Sequence, residues 1–465
     1  MKNELISRKR FLKIAGASLG GLYLSSWLKP QDFQASPAPA RIIIHLLLEG
    51  GPDLRHLLVP PYSSDQNTFA GRYWKFRSSA QQTDANIPST WQDRYVNDYT
   101  EVTSSGVTFG VLNRCGWLVS QIQAGNVAII NNVIHSDSRR HDHSLLVLQS
   151  GILGDQPLAT RTIGWGGRLS EASGGRILSM TNQVRVFCNR PDGDRNQIIS
   201  ARDTRNIGLH YADALTNDPA SEDPRAVMTR AMRSYYSQKP RMTGTMYERF
   251  QAAEEKVRLL GDQMRARLDA NPVPQAIDDL VNGASPLNRR NFGEQIRSVY
   301  DSFLCADLTE YQFRVMSLNY SGWDTHQGQR TRMGNNLEDI FGTGRGLDAL
   351  TSSLSTQDRD RTIFVIAGEF GRQLRSNGDQ GTDHGRGNNV IVIGNPVTGG
   401  VYGDMFPASD IPNFEIFNRD ITGLTSLDQI FGRLCDWHSG TGSTVFPGYT
   451  TTPIEAGVDF TNLAV

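Results

Sequence analysis

The stretch R-I-I-I-H-L-L-L-E-G-G-P-D, Arg41–Asp53, decides how the rest of the chain is read. Arg41 to Leu48 is a nearly continuous apolar run, closed by Glu49-Gly50-Gly51-Pro52-Asp53. A strand with one wet face alternates apolar and polar residues. An unbroken apolar run ending in glycines predicts a strand buried on both faces. Similar runs recur at Val127–Ile134, Phe313–Leu318, Thr362–Ala367 and Asn389–Ile393. Helical patterns lie between several of them: Phe292, Ile296, Val299, Tyr300 and Phe303 share one helical face just before the third run. Strands alternating with helices predict an α/β fold, with a mainly parallel central sheet, helices on both faces and Arg41–Leu48 near the middle.

Between Asp223 and Asn271 the period changes. Met246, Phe250, Ala253, Val257, Leu260, Met264 and Leu268 recur at steps of three and four among many charges. This predicts an amphipathic helix paired with one near Pro224–Gln238, in a helical insertion over 223–284; a dimerising coiled coil is the minor alternative. The chain has 465 residues with 47 Lys plus Arg and 48 Asp plus Glu, a formal net charge of -1. That balance argues against a dedicated nucleic-acid binder, which carries a basic excess. A 38% hydrophobic share supports a folded core. Cys115, Cys188, Cys305 and Cys435 are scattered without a C-x-x-C pair, so a zinc cluster of thiolates is not expected and buried thiols are preferred over disulfides.

The N-terminus reads S-R-K-R-F-L-K from Ser7 to Lys13 and then a short, glycine-diluted apolar segment from Ile14 to Leu28. That segment falls short of the ~20 residues of a membrane span. It looks like a twin-arginine export signal with Lys9 in place of the second arginine, and Ala38-Pro39-Ala40 offers a cleavage site; an uncleaved anchor or an amphipathic first helix is the alternative. The expectation is therefore a signal over 1–40, export in the folded state by the twin-arginine translocase, a periplasmic or secreted destination and no stable membrane span. The remainder, 41–465, is read as one α/β domain.

In parallel α/β sheets ligands gather beyond the carboxyl ends of the strands. The first strand delivers Asp53 there. The second delivers His135 to Ser144, including Ser138, Arg140 and His141. The third delivers Gly322-Trp323-Asp324-Thr325-His326, and the fourth Gly368-Glu369-Phe370-Gly371-Arg372. Gly381-Thr382-Asp383-His384-Gly385 precedes the fifth. Asp, Glu and neutral His are ligands for divalent metals, so Asp53, Asp324, His326, Glu369, Asp383 and His384 are the candidate metal ligands, for zinc, calcium or manganese. Arg140, His141 and Arg372 are further candidate catalytic residues at these ends, with either arginine able to clamp anionic oxygens.

G-W-D-T-H at Gly322–His326, E-F-G-R at Glu369–Arg372 and D-H-G at Asp383–Gly385 occur in that order. They join G-G-P-D, the His141–Gly151 segment, G-W-G-G-R-L at Gly164–Leu169 and the terminal L-D-Q-I-F-G-R-L-C-D-W. Together these resemble the exported bacterial family known as domain of unknown function 1501, which looks like a remote branch of the alkaline phosphatase and sulfatase superfamily. The resemblance implies an alkaline-phosphatase-like sandwich and a metal-dependent site for phosphate or sulfate esters, small or polysaccharide. By the same resemblance Asp53 matches the first-strand ligand, Asp324 and His326 the later Asp/His pair, and His384 the final histidine. Glu369-Phe370 stands where the superfamily has Asp-His, and the nucleophile that the resemblance implies after the second strand would fall to Ser138 or Ser144, the remaining candidate catalytic residues. A non-catalytic envelope protein that keeps the fold and an anion or metal site is the second reading.

Overall fold

The computed structural model describes residues 40–465 except 85–86, 154–161, 182–184, 195–196, 201–203, 207–226, 228–263, 265 and 307–312. The chain divides into a segment 1–40 and one unit, Arg41–Val465. The expected signal and nearly all of the Asp223–Asn271 helices, including Pro224–Gln238, lie outside the described residues.

Strand β1 (Ile42–Glu49) starts one residue later than the apolar run and is buried along its length. Next come β2 (Leu58–Val59), β3 (Tyr99–Ser104) and β4 (Val107–Leu112), a small antiparallel sheet in the order β2–β4–β3. The chain then returns to the large sheet with β5 (Val127–Ile134), β6 (Arg176–Ser179), β7 (Ile198–Ser200) and β8 (Phe313–Ser321). It finishes with β9 (Thr362–Gly368), β10 (Gly387–Ile393), β11 (Gly400–Tyr402) and β12 (Thr425–Ser426). The large sheet runs β11–β5–β10–β9–β1–β8–β6–β7, with β12 also on β5. Strand β1 is central, parallel to β8 and β9. Only β10 is reversed among the described strands of this sheet, antiparallel to both β5 and β9.

The main helices are α1 (Phe69–Phe76), α2 (His141–Ser150), α3 (Trp165–Ser173), α4 (Gln275–Asn282), α5 (Arg290–Leu304), α6 (Gln329–Phe341) and α7 (Leu427–Ser439). The period of two along β1 divides the core. Ile42, Ile44, Leu46 and Leu48 face one layer with Phe292, Ile296 and Val299 of α5 and Leu337 and Ile340 of α6. Ile43 and Leu47 face the other, with Trp165 and Leu169 of α3 and Phe431 and Leu434 of α7. Helices on both sides are why β1 carries no polar alternation. His45 is the exception: its ring stacks on Phe187 at 4.8 Å, and neither ring nitrogen finds a partner among the described residues. Burial pushes its pKa down to about 3. All four cysteines are buried and none is in a disulfide. No helix among the described residues is long and apolar enough to cross a membrane.

Candidate functional site

The reversal of β10 organises the site. Strands β1, β5, β8 and β9 point the same way, so their carboxyl ends share one edge of the sheet. His384 precedes β10 instead of following a strand, contrary to the rule used for the other candidates. It reaches the same edge because an antiparallel strand begins where its neighbours end.

At that edge Asp324 is the hub. Its Oδ1 accepts from Arg372 Nη2 at 2.9 Å and lies 3.0 Å from His384 Nε2 and 3.1 Å from His326 Nε2. Its Oδ2 lies 3.7 Å from His141 Nε2. The Nε2 atoms of His326 and His384 are 3.0 Å apart. Each imidazole is held from behind at Nδ1: His141 by Glu369 Oε1 at 2.8 Å, His326 by Asp383 Oδ1 at 2.9 Å, His384 by the Arg139 carbonyl at 3.0 Å. Phe370 packs against the rings of His384 and His141, with centroids 4.4 and 4.9 Å away. Phe370 thus packs between two imidazoles, with His141 approaching from the start of α2.

The expected ligand set divides in two. Asp324, His326 and His384 converge, joined by His141, and ligand atoms of His141, Asp324 and His384 lie within 4.8 Å of one another. Asp53 and Glu369 stand behind them. Asp53 is ion-paired with Arg77 and accepts from Gln329 Nε2 at 2.6 Å. Glu369 is fully buried, and its two oxygens accept the Gly50 N–H at 2.8 and 2.9 Å. Asp383 supports His326 rather than reaching into the cluster. Asp53 Oδ2, both Glu369 oxygens and Asp383 Oδ1 are engaged by the protein itself.

Arg372 departs from the role of substrate clamp. Its guanidinium is buried and donates to the carbonyls of Gly51 (2.7 Å), Gly50 (2.6 Å), Trp323 (2.9 Å) and Thr382 (2.9 Å) as well as to Asp324. It ties three strand-end loops together and aims the Asp324 carboxylate. Arg140 is exposed and pairs with Asp142 at 2.6 Å. Ser144 Oγ donates to Ser136 Oγ at 2.9 Å, and Ser138 Oγ accepts the Arg140 N–H at 3.2 Å. Those hydrogen bonds stay inside the β5–α2 loop; neither serine is paired with a histidine of the cluster.

Two glycines make the arrangement possible. Gly50 adopts φ +120°, and a Cβ there would stand 2.5 Å from the Asp324 nitrogen. Gly51, at φ +67°, would meet the Phe370 ring at 2.1 Å. Any side chain would push β1's turn off the β8 and β9 loops.

Electrostatics follow from these contacts. Burial opposes ionisation of Asp324, but hydrogen bonds from His384 and Arg372 and the Arg372 charge outweigh it and hold the carboxyl at about 2. Burial lowers His384, with Arg372 adding to the effect against the pull of Asp324. The Glu369 hydrogen bond raises His141. An ionised carboxylate beside imidazoles, open to solvent on one side, is a group of ligands able to hold a divalent cation.

Sequence patterns did not reveal Arg77 and Gln329. Arg77 follows α1 in a segment without a motif, and nothing marks Gln329 as the partner of a residue 276 positions earlier. Residues 191–410 match the family model described as Protein of unknown function (DUF1501). The segment contains Asp324, His326, Glu369, Arg372, Asp383 and His384, whereas Asp53 and His141 precede it. No curated protein matches the chain. A solved structure titled "Crystal structure of Ps i-CgsB in complex with k-i-k-neocarrahexaose" aligns over 81% of this chain and 71% of its own, at 11% identity and a TM-score of 0.28, too loose a likeness to carry an argument. What the comparisons support is similarity to the DUF1501 family over residues 191–410.

Proposed function

We propose that the chain is an exported, metal-dependent hydrolase of phosphate or sulfate esters. The observation that carries this reading is the convergence of three imidazoles and the Asp324 carboxylate at the carboxyl-end edge of the sheet. A divalent cation there would neutralise charge on ester oxygens and make water a better nucleophile. Arg372 and Glu369 would fix the ligands, and Arg140, exposed just before α2, is the guanidinium that would exchange its Asp142 partner for a bound anion. The DUF1501 match adds family context without an activity. Export rests on the Arg8-Lys9-Arg10 segment, with the twin-arginine translocase as partner and the periplasm or exterior as destination.

The second reading, a non-catalytic envelope protein with a binding site, draws on one observation: the hydrogen bonds of Ser138 and Ser144 give no activated serine. One experiment separates the two. The purified full chain is assayed with p-nitrophenyl phosphate and p-nitrophenyl sulfate, before and after chelation and metal restoration, beside Asp324→Asn. Turnover of either ester that chelation removes, metal restores and Asp324→Asn lacks supports the hydrolase. Metal binding without turnover across a wider ester panel favours the second reading.

A further inference from the structure

Large apolar side chains exposed singly on a folded surface are ordinary; adjacent ones held outward are not. Ile416 and Phe417 are neighbours in sequence, 45% and 73% exposed. They form a tip after the short turn Pro412–Glu415, and the chain is anchored on both flanks of it. Before the tip, Phe414 is buried with its ring 5.1 Å from that of Phe69. After it, Asn418 turns the backbone at φ +62°, a left-handed conformation that residues other than glycine seldom take. The Asn418 carbonyl accepts from Arg139 Nη2 at 2.8 Å, and its Oδ1 accepts from Gln373 Nε2 at 3.2 Å. The Arg419 carbonyl accepts the Leu374 N–H at 3.0 Å. The pair is therefore presented by a fixed frame.

Cations surround the tip. The Arg375 guanidinium lies 4.1 Å from the Phe417 ring centre and 5.5 Å from that of Phe76. Lys75 and Arg72 stand over Phe76 at 5.4 and 5.9 Å. Glu415 pairs with Arg72, and Asp420 is shared by Arg139 and Arg386. Lys75, Arg375 and the exposed Arg419 have no carboxylate partner among the described residues. A chain of net charge -1 thus gathers unpaired positive charge around its apolar tip.

We propose that this tip is a peripheral docking surface for an anionic lipid bilayer, with Ile416 and Phe417 entering the headgroup boundary and Lys75, Arg375 and Arg419 pairing with lipid phosphates. Two adjacent hydrocarbon side chains ringed by unpaired cations match a partner with hydrocarbon beneath and negative charge at its surface. An anionic glycan offers the charge but no hydrocarbon for Ile416. Arg375 can keep its stem on the Phe417 ring while its head stays at phosphate level. The surface adjoins the histidine cluster: Arg139 holds Asn418 with its side chain and His384 Nδ1 with its carbonyl, at 3.0 Å. Docking would bring the half-open cluster to the headgroup layer. The proposal goes beyond ester hydrolysis and requires neither turnover nor a bound metal.

The test uses the full chain and vesicles of phosphatidylcholine, alone or mixed with phosphatidylglycerol. The four native cysteines are buried, so Phe417→Cys takes a polarity-sensitive thiol dye selectively. The dye reports the tip itself, so binding through the apolar segment Ile14–Leu28 leaves it unshifted. Its emission should move to the blue on mixed vesicles, stay unchanged on phosphatidylcholine alone, and lose the shift as salt rises. The same dye in Val465→Cys should not respond; Val465 is 75% exposed and bonded to Pro396, past the end of β10 at the opposite edge of the sheet. Adding Arg375→Gln and Arg419→Gln should raise the lipid needed for half the shift about 10- to 30-fold, with unchanged far-UV circular dichroism. No shift at Phe417→Cys, an equal shift on phosphatidylcholine alone or at Val465→Cys, or an unaltered midpoint in the charge variant would overturn the proposal. A shift produced by dextran sulfate and not by mixed vesicles would also overturn it, and would assign the cations to an anionic glycan.

Discussion

Asp53 and Asp324 follow adjacent parallel strands, β1 and β8, and reach the same edge of one sheet, yet their surroundings are opposite. Asp53 is 1% exposed and closed in by Arg77 and Gln329. Asp324 is half exposed and faces three imidazoles, with Arg372 behind it. A carboxylate sealed with a guanidinium is already neutralised and serves as a bolt: Arg77 also donates to the carbonyls of Leu374 at 2.9 Å and Gln373 at 2.5 Å, joining the β9 loop to the turn after β1. A carboxylate left half open keeps an unsatisfied field for a cation. Position in the fold brings a residue to the edge, and what packs behind it decides its use.

The largest effect expected from this contrast comes from isosteric removal of each charge. Asp53→Asn leaves Arg77 buried without its counter-charge and should cost about 3–5 kcal/mol, read as a lower denaturant midpoint at unchanged slope. Asp324→Asn should move that midpoint far less and abolish zinc binding. Equal destabilisation by the two variants would break the comparison.

A second effect is acid lability, set by the closed region. Burial pushes His56 and His135 down to about 4 and His45 to about 3, well below the ordinary 6.5. The unfolded chain binds protons at these rings that the native state refuses. Stability is therefore full above roughly pH 6.5 and falls as pH drops toward 4, by up to about 1.4 kcal/mol per pH unit for each histidine. Unfolding curves at pH 7 and pH 5 measure it, and His45→Phe should flatten the slope by one proton. A midpoint insensitive to pH in that interval would show that these rings are already hydrated.

The smallest effects sharpen the contrast within the β5–α2 loop. Ser144→Ala deletes a buried hydroxyl that donates to Ser136 and should cost about 1 kcal/mol. Ser138→Ala should stay within about 0.5 kcal/mol. Neither should alter zinc stoichiometry; loss of metal in either would place these serines in the site.

How much of this was legible in the chain follows the same division. The apolar run of β1, the recurring strands and the helical face of Phe292, Ile296 and Val299 announce the sheet and its two layers, because burial on both faces leaves a pattern that neighbours in sequence share. Asp324, His326 and His384 could be picked out by residue type and by their place at strand ends. Their separation from Asp53 and Glu369 could not. It depends on Arg77, Gln329 and the Gly50 N–H, contacts between residues remote in sequence that no local period encodes. The antiparallel sense of β10 was hidden for a similar reason: a fully buried strand reads alike in either direction. His141 was visible as a candidate, but its approach to Asp324 required the β5–α2 turn to fold back over Phe370.

On the proposed reading the open cluster, and not the sealed carboxylate behind it, holds the divalent cation. Anomalous diffraction at the zinc edge from crystals grown with zinc tests this most directly. The expected result is a strong peak at ~2.0–2.2 Å from an oxygen of Asp324 and the imidazole nitrogens beside it, with none at Asp53. A peak bonded to Asp53 or Glu369, or an empty map at the three imidazoles, would contradict it.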